Sequence, residues 1–280
     1  MNNKIKPILI AILVPIILIY LVLQMDSVIA NKKEESRIEK EKQDIRNNLA
    51  NAKRITELAL RKDNNEEAMK LIERSNEIIP TAENSRQACI ILQTMKKFEE
   101  SISWCTQGHE LGDDLSLLGI ALAYRGVKNY EESLNWAFIA NEKQIPGSAG
   151  TIGLVYSEIG DYVNAEKWYL QAIKDDPKDS QDLNNLISFY IEKLNNKMLG
   201  AAYAIASVNN VFPAHTIAKF LIVTHKIPLE DLQKAYEFQL NNPILPYRYE
   251  QNDNNKLGIL NEKSYKRLFK YFIDNPSDQY

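Results

Sequence analysis

Three histidines, two cysteines and a few acidic pairs are the residues whose chemistry could define a site in this chain. His109, His215 and His225 are scattered, with no HExxH and no pair at i and i+4, so they offer zinc no ligand set. Cys89 and Cys105 alone cannot build a four-cysteine metal site or a multi-bridge framework. Glu66-Glu67, Glu99-Glu100 and Glu131-Glu132 open amphipathic stretches, where a helix dipole accounts for them better than general-acid work. GxGxxG, GxxxxGK and GxSxG motifs are missing, and ten glycines in 280 residues leave no place for a phosphate loop. No enzyme is expected, and no cofactor or metal. A net charge of −3, without a Lys/Arg cluster interleaved with aromatics, argues against nucleic acid as a partner. With chemistry set aside, 45% hydrophobic and 25% charged residues describe an ordinary folded chain whose surfaces must carry its function.

The N-terminus departs from that average. Pro7 to Leu23 is an uninterrupted apolar run, preceded by Lys4 and Lys6 and followed by Gln24 and Asp26. At about 1.5 Å per helical residue it covers about 25 Å, near the lower limit for a bilayer span and long for a cleavable signal. Residues 7–24 are therefore expected to be an uncleaved transmembrane anchor, although Val28-Ile29-Ala30 is a passable peptidase site. No Cys follows the run, so lipoprotein processing is excluded. Lys4 and Lys6 hold residues 1–6 in the cytoplasm by the positive-inside rule. The remainder, with 32 basic and 37 acidic residues, is expected in the periplasm or outside, as a single-pass cytoplasmic (inner) membrane protein. Residues 25–48 then read as a charged helical stalk free of Pro and Gly. Ile38, Ile45 and Ala52 recur at seven, but Glu41 and Asn48 between them favour a solvated helix over a coiled coil, and the oligomeric state stays open.

Beyond the stalk the chain repeats itself. Trp104, Trp136 and Trp168 are 32 residues apart. The same shift aligns Lys97-Phe98-Glu99-Glu100-Ser101 with Asn129-Tyr130-Glu131-Glu132-Ser133 and Asp161-Tyr162-Val163-Asn164-Ala165. The tryptophans read as packing between successive hairpins rather than as a ligand cage. In the sharpest copy, Ile152-Gly153, Tyr156, Gly160, Tyr162, Ala165, Tyr169, Ala172 and Pro177 stand in order. This pattern resembles the tetratricopeptide repeat, a hairpin of helices A and B whose small residues let the two approach. The departures are the 32-residue spacing, against about 34 in the family, and Lys96 and Lys128 in place of the turn glycine. The resemblance implies an all-α fold, a right-handed α-solenoid of about six hairpins at 49–81, 82–113, 114–145, 146–179, 180–211 and 212–243. A loop and a capping helix over 244–280 would seal the last one, through the stripe Leu257, Leu260, Tyr265, Leu268, Phe269, Phe272 and Ile273.

In that family the concave groove is lined by helix A at repeat places 2, 5, 9 and 12. The register puts Ile90, Leu122, Leu154 and Phe220 at place 9, Arg86, Leu118 and Asn184 at place 5, and Gln93 and Arg125 at place 12. The Lys and paired Asn that clamp a terminal carboxylate in some members are missing, so an amphipathic helix or an extended apolar segment of a partner suits the groove better. The protein's own C-terminal segment filling the groove is the competing reading. The resemblance implies a protein-interaction scaffold; with the expected anchor, this becomes a membrane-anchored scaffold for bacterial envelope complex assembly, and a cytoplasm-facing accessory or regulatory subunit of an enzyme complex is the alternative. Cys89 and Cys105 fall on the two helices of one hairpin, at places 8 and 24. They are either two buried thiols or, in an oxidising compartment, one bridge.

Overall fold

A computed structural model describes the backbone of residues 5–62, 64–250 and 257–275, and the side chains of those ranges from residue 24 onward. Among the described residues there is no strand, only one isolated bridge between Val208 and Phe212. The chain divides into two compact units, Met1–Asn84 and Ser85–Tyr280, and the division falls three residues into the second expected hairpin.

The first unit is built from α1 (Ile5–Ala59) and α2 (Asn65–Ile78), which pack as a hairpin. Anchor, stalk and first repeat helix are expected as separate pieces, but α1 is one helix of 55 residues that runs on through Pro15, and beyond it no Pro or Gly interrupts residues 16–79. From residue 24 to Asn51 every side chain is exposed; burial begins at Ala52 and continues with Ile55, Thr56 and Ala59 against Ala68, Met69 and Ile72. The core of this hairpin also holds a polar cluster. Thr56 Oγ1 and Ser75 Oγ bond to each other at 3.1 Å and both reach Ala52 O, while Asn84 Nδ2 donates to Ser75 Oγ at 2.9 Å. The anchor expected at residues 7–24 falls on side chains that, up to residue 23, lie outside the described residues. Among the described residues no helix is long and apolar enough to cross a membrane.

The second unit continues α3 (Ala82–Thr94) with α4 (Phe98–Glu110), α5 (Ser116–Gly126), α6 (Tyr130–Glu142), α7 (Ser148–Ile159), α8 (Tyr162–Asp175), α9 (Ser180–Ser188), α10 (Lys197–Ala206), α11 (Ala214–Lys219), α12 (Leu229–Asn241) and α13 (Glu262–Asp274). From α4 to α9 each helix packs on the next, so A and B alternate through the repeat region. Place 20 of successive hairpins is Ala68, Ser101, Ser133 and Ala165, and place 27 is Ser75, Gly108, Ala140 and Ala172; all are buried. Two of these serines repeat one bond, Ser101 Oγ to Cys89 O at 3.2 Å and Ser133 Oγ to Ala121 O at 2.7 Å. A small side chain here lets helix B approach helix A and satisfies its own hydroxyl on the facing carbonyl.

From α3 onward each A helix ends on one residue in the left-handed region: Lys96 (φ 60), Lys128 (φ 61), Gly160 (φ 85), Asn195 (φ 50) and Lys226 (φ 49). The lysines thus do the work of the turn glycine, at a cost of about 1 kcal/mol each. The following amide closes the turn in return, as Lys97 N to Leu92 O at 2.8 Å, Asn129 N to Tyr124 O at 2.9 Å and Asp161 N to Tyr156 O at 3.0 Å. Asn129, Asp161 and Asn196 then accept first-turn amides and start the B helices.

The last two hairpins depart from the regular scheme. Their A helices close with a π turn, Phe189–Lys193 after α9 and Phe220–Thr224 after α11. Every residue from Gly200 to Ala206 in α10 is buried, and α12 packs directly on α10, a B helix against a B helix. The α13 helix packs against the π turn of Phe220–Thr224, and Tyr265 OH donates to Ile227 O at 3.2 Å. Gln239 pins the segment after α12 by two bonds to the Tyr249 backbone, at 2.8 and 2.9 Å.

Candidate functional site

The A helices α3, α5, α7 and α9 and the π turn after α11 carry the expected groove residues, and their side chains sort into two groups. The first is apolar. Ile90 is 46% exposed, whereas Leu118 and Leu122 are half-buried. Leu154 and Phe220 are also half-buried but pack on the large core that runs from Ala165 to Phe272, and the Phe220 ring lies 4.3 Å from that of His225. An open apolar surface is therefore offered by α3 and α5, and it fades toward the later hairpins, where the same repeat place is drawn into the core.

The second group is polar and mostly engaged within the chain. Arg86 Nε lies 3.4 Å from Asp113 Oδ2, and Arg125 Nη1 lies 3.6 Å from Glu158 Oε1. Gln93 Nε2 donates to Gly119 O at 2.8 Å and approaches the Cys89 sulfur at 3.4 Å. Gln93 thus ties α3 to α5, where a groove-facing place would have it meet a ligand. Asn184 remains exposed on α9. Paired arginines hold neighbouring helices in register, and what is left for a partner is chiefly apolar contact.

The two cysteines meet beneath this surface. Cys89 and Cys105 are joined by a disulfide, with Cα atoms 5.1 Å apart, that staples α3 to α4. A Cβ at Gly119 of α5 would come within 2.7 Å of the Cys89 sulfur and 3.0 Å of the Cys105 sulfur, so only glycine lets α5 close over the bridge. Ile120, Trp104, Tyr124 and Trp136 complete this small core. The tryptophans link successive B helices. Trp136 stands edge-on to His109 with ring centroids 6.1 Å apart, and Trp168 edge-on to Phe138 at 5.5 Å. The three histidines are well separated: His109 beside Trp136, His215 exposed next to Thr216, and His225 on Phe220. Among the described residues no group of His, Cys, Asp and Glu converges as a metal site would.

Sequence reasoning missed Asp182, in the first turn of α9. It is only 7% exposed, and its carboxylate rests against the backbone of Gly150 in α7, where even a methyl group would overlap it. Burial, and after it the charges of Asp179, Asp176 and Asp175, push its carboxyl up from 3.8 to about 6. Nearby Tyr169, buried at the heart of the hairpin, is pushed up to about 12, again chiefly by burial. The available signal was Gly150 itself. A helix-interior glycine costs about 1 kcal/mol relative to alanine, and no turn requires one there.

Residues 148–179 match the family model described as tetratricopeptide repeat, the copy formed by α7 and α8. No curated protein matches the chain. Among solved structures, one reported as a functional characterization of pilF from Pseudomonas aeruginosa is similar at 13% identity, over 80% of this chain and 97% of that one, with a TM-score of 0.48.

Proposed function

We propose that this tetratricopeptide repeat protein is a membrane-anchored scaffold, non-catalytic, that holds a helix or extended segment of a partner protein against the A-helix face of a right-handed solenoid of about six hairpins. The carrying observation is the A-helix surface itself: Ile90 is half exposed and Leu118 and Leu122 half-buried, while Arg86, Gln93 and Arg125 are engaged by their own chain. Apolar side chains left partly in water on adjacent helices gain from being covered, and a partner helix supplies that cover. The place of action we propose is the outer face of a bacterial cytoplasmic membrane, in envelope complex assembly. Two features support it: the apolar run Pro7 to Leu23, with Lys4 and Lys6 close on its N-terminal side while on the other Asp26 comes first and Lys32 and Lys33 are balanced by Glu34 and Glu35, and the Cys89–Cys105 bridge, which persists in oxidising compartments.

A photoreactive residue at Ile90, at Leu122 and, as a control, at Val163 tests the groove. Val163 lies on α8 and is 81% exposed. One discrete protein adduct from Ile90 and Leu122 and none from Val163 is the expected result. Equal labelling from all three positions, or from none, removes the groove.

A further inference from the structure

A second feature of the same unit concerns charge. Between the α6–α7 turn and the α8–α9 turn lies a cleft of about 620 Å³, floored by the start of α7 from Pro146 to Ala149 and walled by Asp175, Asp176, Asp179 and Asp182. Three of these carboxylates are satisfied locally. Asp175 accepts from Gln171 Nε2 at 2.6 Å, Asp176 from the Lys178 amide at 2.9 Å, and Asp179 from the Gln181 and Asp182 amides at 2.8 and 2.9 Å, as the cap of α9.

Asp182 differs. It is more than nine-tenths buried, lines the cleft, and among the described residues no donor reaches its carboxylate. The charged groups acting on it are all acids, Asp179, Asp176 and Asp175. A favourable helix dipole explains an acid in the first turn of α9. It does not explain why that acid is turned into the cleft, or why Gly150 is left bare to admit it. A buried carboxylate without a partner is strongly disfavoured unless a cation completes it.

The chemistry of the walls narrows the cation. Among the described residues the carboxylates do not converge closely enough to hold a metal ion, whereas a cleft of about 620 Å³ has room for a side chain. Asn141 and Gln144 also line the cleft, the Asn141 oxygen accepting from Ser148 Oγ at 3.3 Å. Several acceptors spread over a slot suit the planar fork of a guanidinium better than a point charge. We propose that this cleft receives an arginine side chain of the bound partner, with Asp182 as its counter-ion. The proposal rests on the scaffold reading for the source of the arginine, but the cleft can be probed without the partner.

The full chain in detergent, labelled with 15N at its ten glycines, reports the site through Gly147 and Gly150, with Gly112 and Gly258 as remote controls. N-acetylarginine amide should shift Gly147 and Gly150 saturably and leave the controls in place. The neutral isostere N-acetylcitrulline amide should bind at least ten-fold more weakly, and Asp182→Asn should weaken the arginine derivative by a similar factor. No saturable shift, equal binding of citrulline, or full binding by Asp182→Asn overturns the proposal, and a response to calcium chloride in place of arginine reassigns the cleft to a metal. The citrulline comparison needs no variant, so it stands even if Asp182→Asn misfolds. Failure here leaves the photocrosslinking result at Ile90 and Leu122 intact, and the converse also holds.

Discussion

Asp182→Asn should make the protein more stable at neutral pH, the reverse of what most substitutions at a buried polar site do. The side chains are close in size, so the contact with Gly150 is kept while the charge is removed. The carboxyl is raised from 3.8 to about 6, about two units. At 1.36 kcal/mol per unit this rise sets a ceiling of about 3 kcal/mol, which water entering from the cleft screens to about 1–2 kcal/mol. Because the folded value lies above the unfolded one, the wild type has its full stability below about pH 4 and loses it as pH climbs through 6. The variant does not pass through that loss. Urea unfolding followed by tryptophan fluorescence isolates the effect, since Trp104, Trp136 and Trp168 all belong to the second compact unit. At pH 7.5 the variant should exceed the wild type by about 1–2 kcal/mol, and the two curves should draw together toward pH 4. Equal stability at pH 7.5, or a variant less stable there, would refute the reasoning by showing that the carboxylate is already paired. Added N-acetylarginine amide should then stabilise the wild type and leave the variant unmoved.

Two further outcomes follow. Protein prepared from its native membrane without reductant should show no reactive thiol after denaturation, and reduction should cost about 3 kcal/mol for a loop of this length; two free thiols would remove the bridge and with it one support for export. Alkaline phosphatase fused after Tyr280 should be active, because that reporter folds only outside the cytoplasm. An inactive phosphatase beside a fluorescent cytoplasmic fusion would favour the accessory subunit instead.

Much of the hairpin pattern is legible in the chain because its causes are local. The 32-residue interval between tryptophans marks real neighbours on successive B helices, as the ring contacts of Trp136 and Trp168 show. The small residues at Ser101, Ser133 and Ala165 mark the A–B approach. Even the lysines that break the glycine pattern sit where the turn glycine would, since a backbone hydrogen bond compensates their strained φ. What escaped the reading depends on distant partners. The stretch Gly200 to Ala206 is small and apolar on every side, which signals a helix enclosed by more than one neighbour, yet nothing in the residues says that the neighbour is α12. The π turns at Phe189 and Phe220 add a residue to a helix without any breaker to announce it. The groove was half legible: its apolar places were read, but which arginines were free required knowing that Asp113 and Glu158 stand opposite them. Asp182 was invisible because a first-turn acid is common and its burial is set by Gly150, some thirty residues away.

The uninterrupted course of α1 carries one more consequence. A helix that passes without a joint from an exposed rod into the buried face at Ala52, Ile55, Thr56 and Ala59 fixes an angle as well as a length. Each residue added to or taken from the exposed stretch turns the first hairpin by about 100° about the rod while moving it only about 1.5 Å along it. Seven residues bring it back to within about 20° of its starting bearing. Natural variation in the rod should therefore come in whole heptads if the bearing matters, and in any number if only the reach does.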